Sequence, residues 1–474
     1  MTDKQPKTTY RPHRRGTKTR WLWLPSLMFG DGVAVSVLVL TMVMLRRMGL
    51  DTADTALAIA LLSLPVLLRP LFEMVVTHFW GTTKVWILST QFISALSLAA
   101  VAFTLHTSSW LLGTVCFMPF FVCSSVFYNI ALHRFYIDTS QGVHLSQVHQ
   151  QNPTPQQDTM VRWCDGDMVT LHSSTPQRHN TTTLHSQKSC GFLTMALLFG
   201  CGVMMMIAGN MEVVTRNIRY SWSLVFYIMA GVELFLWLWH TIFLPGGTHG
   251  YAKPKPTMGL HRGEFRISLR RMLKRKDDIT ALTFFILFLL PETLLALTAP
   301  LFLIAKPHNG GLGLSPQEFA FTQGTIAVIA IALGYTLGGK AIKKHGLRRW
   351  LLPTVLILAL HAAALLFLSR NTAISLSTIA TALAVGNAAL GFALSTVKCV
   401  VVCFTRNTPD YTLRNAIART LIATPFVLVG MFAGVMLTLI DYQHIFLIAT
   451  ELSVASLTVA AFYLYRTRRQ PQAE

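Results

Sequence analysis

Long apolar runs recur from one end of this 474-residue chain to the other. A helix needs roughly 20 apolar residues to cross the hydrocarbon core of a bilayer. No water is available there to satisfy backbone N–H and C=O groups, so a helix or a closed barrel is required. Length and apolarity place about twelve helical spans. The first six are Trp21–Met44, Ala53–Val76, Val85–Leu105, Trp110–Tyr136, Cys190–Gly209 and Ser221–Leu244. The second six are Ile279–Ile304, Phe319–Gly338, Trp350–Leu368, Ala373–Phe404, Leu413–Ile440 and His444–Tyr465. Composition agrees: 52% of residues are hydrophobic and 13% charged, where a soluble domain carries about 25% charged.

The net charge of +20 would suggest a nucleic-acid partner in a soluble protein. Here the lysines and arginines cluster in turns between apolar runs, so lipid headgroups and orientation account for them and no nucleic acid is expected. Basic residues fill the tail (residues 1–20), the central loop (245–278), the turn Lys340 to Arg349 and the terminal tail (467–474, with Arg466 just before it). The alternate turns hold few. That bias predicts cytoplasmic N- and C-termini. The first apolar run is full-length, which predicts an uncleaved first helix, and the central loop divides the spans into two bundles, 21–244 and 279–466. A weak repeat supports the division: Gly81 to Trp86 occupies in the first half the place of Gly346 to Trp350 in the second.

Two non-spanning stretches stand out. Within the central loop, Gly263 to Lys276 carries Phe265, Leu269, Met272 and Leu273 at helical spacing among basic residues, which predicts a helix on the inner membrane surface; a solvated basic linker is the alternative. The insertion 138–188 is rich in Gln, Thr, Ser and His and reads as a disordered excursion; its histidines match no standard metal spacing. The seven cysteines show no repeated spacing and read as small buried hydrophobes rather than a disulfide framework or zinc site, with no cofactor implied.

An ionisable group at bilayer depth is costly and therefore a functional candidate. Asp31 lies in the first span, Glu233 in the sixth, Glu292 beside Pro291 in the seventh and Lys398 in the tenth. These four are the candidates for transport and proton coupling. A pairing of Glu292 with Lys398 that merely closes a bundle, and a packing role for Glu233, stay open. Asn129, His133, Arg134 and Asn387 are the polar candidates for a cavity, and Arg69 and Glu73 are gate or headgroup candidates. No paired carboxylates, nucleophile elbow or ligand set appears at enzyme spacing.

The turn Gly338-Gly339-Lys340-Ala341-Ile342-Lys343-Lys344-His345-Gly346-Leu347-Arg348-Arg349 resembles the cytoplasmic gate motif between the second and third helices of a half in the major facilitator superfamily, with Gly338, Gly339, Gly346, Arg348 and Arg349 as its matching residues. Trp23 to Leu27 through Asp31-Gly32, Tyr220 to Leu224 through Ala230-Gly231, and Gly311 to Ser315 through Gly324 are similar to the AmpG-type muropeptide permease branch. The resemblance implies an all-α fold of two six-helix bundles and a central cavity lined by the first, fourth, seventh and tenth helices. It also implies a monomer and proton-driven import of cell-wall sugar–peptides across the bacterial inner membrane. The chain departs from that branch. Asn129 and His133 stand where its fourth helix carries aspartates, Thr194 where its fifth carries an arginine, and Lys343 and Thr77 where its turns carry an aspartate. These losses raise a second reading, a non-transporting scaffold or sensor.

Overall fold

The computed structural model describes residues 20–78, 81–148, 191–245, 262–371, 374–405 and 411–468. The basic tail, most of the insertion, the start of the central loop and the end of the chain lie outside the described residues.

Every described element is helical, and twelve helices are long and apolar enough to cross a membrane. The first six are Trp23–Arg47, Thr52–Val76, Thr83–Thr104, Trp110–Phe135, Gly191–Thr215 and Ile218–Phe243. The others are Lys276–Ile304, Pro316–His345, Leu347–Arg370, Leu376–Thr405, Leu413–Leu439 and Tyr442–Arg466. Side-chain chemistry sets several ends. Asn217 caps the sixth span by accepting from the Tyr220 N–H at 3.1 Å. Ser315 and Glu318 form a capping box at the start of the eighth, with Pro316 in its first turn. Gly346, at φ +82°, ends the eighth span in a backbone conformation that a side chain would strain. Lys84 Nζ closes the end of the sixth span by donating to Leu244 O at 2.7 Å.

Two expectations are corrected. The helix of the fourth span runs on to Val148, so the insertion does not begin as irregular chain at Asp138. Cys403 is disulfide-bonded, whereas Cys116, Cys123, Cys201 and Cys399 are free.

Four spans depart from regular α-helix. The second passes through a 3-10 segment, Leu64–Leu68, and resumes as α-helix at Arg69. The fifth and eighth contain π-helical turns, Leu198–Met204 and Ala320–Ala327. The seventh stops at Leu287 and restarts at Leu290, with Pro291 in the new first turn. Proline lacks an N–H and frees the carbonyl four residues back. That carbonyl is Leu287 O, and the Ser456 hydroxyl of the twelfth span lies 3.5 Å from it and equally far from Leu452 O of its own helix.

We call the face where the first span begins the near face. Toward the far face the two halves share one apolar core, in which Leu45, Met205 and Phe226 join Phe302, Phe319 and Phe446. Toward the near face the core divides. Phe284, Leu351 and Phe404 pack within the second half, and Trp23, Tyr128 and Phe135 within the first. The halves touch along the second and eleventh spans and where the fifth crosses the eighth. At that crossing Gly324 lies on the Cys201 backbone and Gly202 on Thr325, so a side chain at Gly324 would collide with main chain.

A separate helix, Arg262–Lys274, precedes the seventh span. Met272 is buried and Leu269 half-buried against the near-face core of the second half, while Ile267 and Leu273 are exposed.

Candidate functional site

The broken second span and the fourth span bring charged groups to the first, through one asparagine. The 3-10 segment ends at Arg69, which starts the next helical stretch; Glu73 follows one turn on, on the same face. Asn129 Nδ2 donates to Asp31 Oδ1 at 2.5 Å. Arg69 Nη2 donates to Asn129 Oδ1 at 2.7 Å, and Arg419 Nη1 of the eleventh span donates to the same oxygen at 3.3 Å. Arg419 is steadied by Asn415 Oδ1, which accepts from its Nε at 3.4 Å. Groups from both halves therefore meet on Asn129. Arg134 extends the cluster, donating from Nε to Glu73 Oε1 and from Nη2 to Glu73 O, each at 3.1 Å. His133 is half-buried one turn beyond Asn129. Three guanidiniums against two carboxylates leave the cluster with one positive charge, a field that favours an anionic group.

The second half places its candidates differently. Glu292 Oε2 pairs with His361 Nδ1 of the ninth span at 2.7 Å, with both side chains buried. Its other oxygen, Oε1, has no hydrogen-bond partner. Glu292 thus does not meet Lys398. Lys398 is exposed, its ammonium 5.4 Å from the Tyr335 ring centroid. Asn387 is buried and donates to Leu383 O of its own helix at 2.9 Å. Glu233 is buried in neither cluster, inside the first half among the first, third, fourth and sixth spans.

In the turn motif, Gly338 packs on Phe392 and Ser395 of the tenth span, whereas Gly339 meets open space. Gly346 makes the turn, Arg348 is half-buried and Arg349 exposed.

Sequence reasoning passed over Arg419, Asn415, the pair formed by Arg414 with Asp278, and Gln91. Arg419 stands inside an otherwise apolar run, and the cost of charge at such depth was a signal available for it; Arg414 stands at the end of that run, where the sequence gives no such signal. Nothing in the sequence pairs Glu292 with His361, because 69 residues separate them.

No protein-family model and no curated protein matches the chain. Solved structures match its fold. A mutant of the nucleoside transporter NupG superposes with a TM-score of 0.63 at 13% identity, over 93% of this chain and 99% of that one. NupG itself gives 0.61 at 12% identity, over 96% and 100%. A bacterial homologue of the human drug peptide transporters PepT1 and PepT2 gives 0.59 at 11% identity, over 95% and 98%. The chain is a multi-pass, all-α membrane protein with the fold of the major facilitator superfamily.

Proposed function

We propose that the chain is a secondary transporter that moves a small solute across the bacterial inner membrane by alternating access, coupled to protons. The observation that carries this reading is the convergence of Asp31, Arg69 and Arg419 on Asn129. A polar network that joins the two halves at one side chain must break whenever the halves separate there. A solute or proton that binds its members can therefore shift the equilibrium between conformations. The lone positive excess suits a solute bearing a carboxylate. A cell-wall-derived sugar–peptide has that chemistry, and two of the similar folds belong to a nucleoside transporter and a relative of peptide transporters. Asp31 and Glu292 are the proton-carrying groups, one in each half. Protonating either removes the charge that holds its partner, Asn129 with its arginines or His361. The near face is cytoplasmic in this reading, the bundles 21–244 and 279–466 rock about the crossing of the fifth and eighth spans, and the chain works as a monomer without cofactor. The scaffold or sensor is the second reading: a network that only braces the two halves would serve it, and most of the insertion 138–188 lies outside the described residues.

Uptake into proteoliposomes under an imposed proton gradient tests this, with cell-wall fragments, peptides and nucleosides as the panel. Uptake of one class that stops when the gradient is dissipated, and that falls at least tenfold in Asp31→Asn and Arg419→Ala (about 1.4 kcal/mol or more), is the expected result. Equal fluxes in the wild type and in both folded variants would overturn the assignment of the site. Absence of any gradient-driven flux across the panel would favour the scaffold.

A further inference from the structure

Glu233 is 5% exposed and Gln91 2% exposed, and both line one small cavity inside the first half. Glu233 makes no hydrogen bond or ion pair among the described residues. Gln91 Nε2 has no hydrogen-bond partner either. The cavity has room for about one water molecule. A buried carboxylate without a partner is costly, so the cavity calls for an occupant that compensates it.

The protons of the surrounding hydroxyls define that occupant. Ser125 donates to Val122 O at 2.8 Å and Tyr128 to Leu27 O at 2.8 Å. Ser124 donates to Phe121 O at 2.8 Å, so the 2.6 Å contact between Ser94 and Ser124 uses the Ser94 proton. The cavity-lining oxygens of Ser94, Ser125 and Tyr128 are left with lone pairs only. Gln91 adds a fourth. Its Oε1 lies 2.8 Å from His240 Nδ1, while His240 Nε2 lies 2.9 Å from Ser26 Oγ. Ser26 Oγ donates to Trp23 O at 3.0 Å, so His240 Nε2–H is free to donate to Ser26, leaving Nδ1 as an acceptor. Turning the Gln91 amide over gives Nδ1 its donor, provides Nε2 with the partner it lacks and points Oε1 into the cavity.

We propose that this cavity is a binding site for a small monovalent cation, sodium or hydronium, held by Glu233 with the oxygens of Gln91, Ser94, Ser125 and Tyr128. One carboxylate balances one positive charge, oxygen-only ligands suit a hard cation, and the volume excludes a transported solute. The other titratable groups nearby are Tyr128 and Asp31, with His240 behind Gln91. The proposal rests on the transport reading and deepens it by adding a cation site at Glu233 to the proton-carrying groups Asp31 and Glu292.

The test is binding to the purified full chain in detergent, read without transport. Thermal unfolding is followed against sodium chloride, with choline chloride as control, alongside pH-difference infrared spectra in the carboxyl region. For sodium, saturable stabilisation by the salt is expected. Glu233→Gln abolishes it, and Ser125→Ala, which keeps the charge, weakens the apparent affinity about tenfold. For hydronium, the proton passes to the Glu233 carboxylate and leaves a water among the other oxygens, so sodium has no effect and a protonated-carboxyl band disappears in Glu233→Gln. Ser125→Ala keeps the readout available should Glu233→Gln not fold. A sodium response unchanged in both variants, or no sodium response together with no carboxyl band assignable to Glu233, would overturn the proposal. A chain that binds the cation through Glu233 yet moves no solute would overturn the transport reading and leave this one standing.

Discussion

Arg414 and Asp278 form the best-matched ion pair at the level of single residues. Arg414 donates from Nη1 and Nη2 to the two carboxylate oxygens of Asp278, each at 2.8 Å, and from Nη1 to Phe404 O at 3.3 Å. The guanidinium carbon also lies 4.9 Å from the Phe404 ring centroid. Both residues are buried, so removing one partner strands the other charge. Arg414→Ala is expected to destabilise the protein by about 3–5 kcal/mol, whereas replacing both with apolar residues of similar volume is expected to recover most of that loss. A double-mutant cycle on thermal unfolding measures this, and a single variant as stable as the wild type would contradict the geometry. On the far face Glu212 accepts from Arg47 Nε at 3.0 Å and from Trp222 Nε1 at 2.7 Å, which ties the first, fifth and sixth spans together.

Among the elements, the irregular spans are the informative ones. Pro291 interrupts the seventh span and sets Glu292 in the first turn of the restarted helix, facing His361. Pro291→Ala restores a donor for Leu287 O and makes a continuous helix available, a gain well below the roughly 3 kcal/mol that proline costs in a helix interior, because Pro291 stands in a first turn. The expected outcome is a higher unfolding temperature together with reduced gradient-driven uptake, because a continuous helix turns Glu292 away from its partner. Unchanged uptake would mean that the break has no part in transport. Where the fifth and eighth spans cross, the backbones at Cys201 and Gly324 touch. Gly324→Val is expected to destabilise by about 1–3 kcal/mol through overpacking, read on the same melts beside Gly339→Val, which faces open space and should be neutral.

For the whole molecule, one apolar core toward the far face and separate cores toward the near face give the two halves a closed side and a divided side. Cys201 is a free, buried thiol at the crossing, while Cys116 is exposed. If the halves rock about that crossing, turnover loosens the fifth span against the eighth. Cys201 should then react with a thiol reagent several-fold faster while substrate and gradient are both present, and Cys116 at a constant rate. Equal Cys201 rates with and without turnover would count against rocking about this point.

The apolar runs alone determined the number of spans and the class of the fold, because a bilayer admits so few solutions to the backbone hydrogen-bonding problem. Gly346 was legible as local chemistry, since a turn is decided within a few residues, whereas the Ser315 capping box was passed over although its Ser-Pro-Gln-Glu pattern is just as local. The departures from regular helix were only half legible. Pro291 beside Glu292 stood out, but Pro25, Pro119, Pro353 and Pro425 lie within continuous helices, so a proline alone does not announce a break; and nothing in Leu198–Met204 or Ala320–Ala327 announces a π turn, which is settled by the close packing of one span on another. The partners of the charges were not legible at all. Asp31, Glu233 and Glu292 stand out in the sequence through the cost of burying them. Whether each meets Asn129, a small cavity or His361 depends on which faces of different helices turn toward each other. Tertiary packing alone sets those rotations, and it places Arg419, 290 residues away in the chain, on the same asparagine as Arg69.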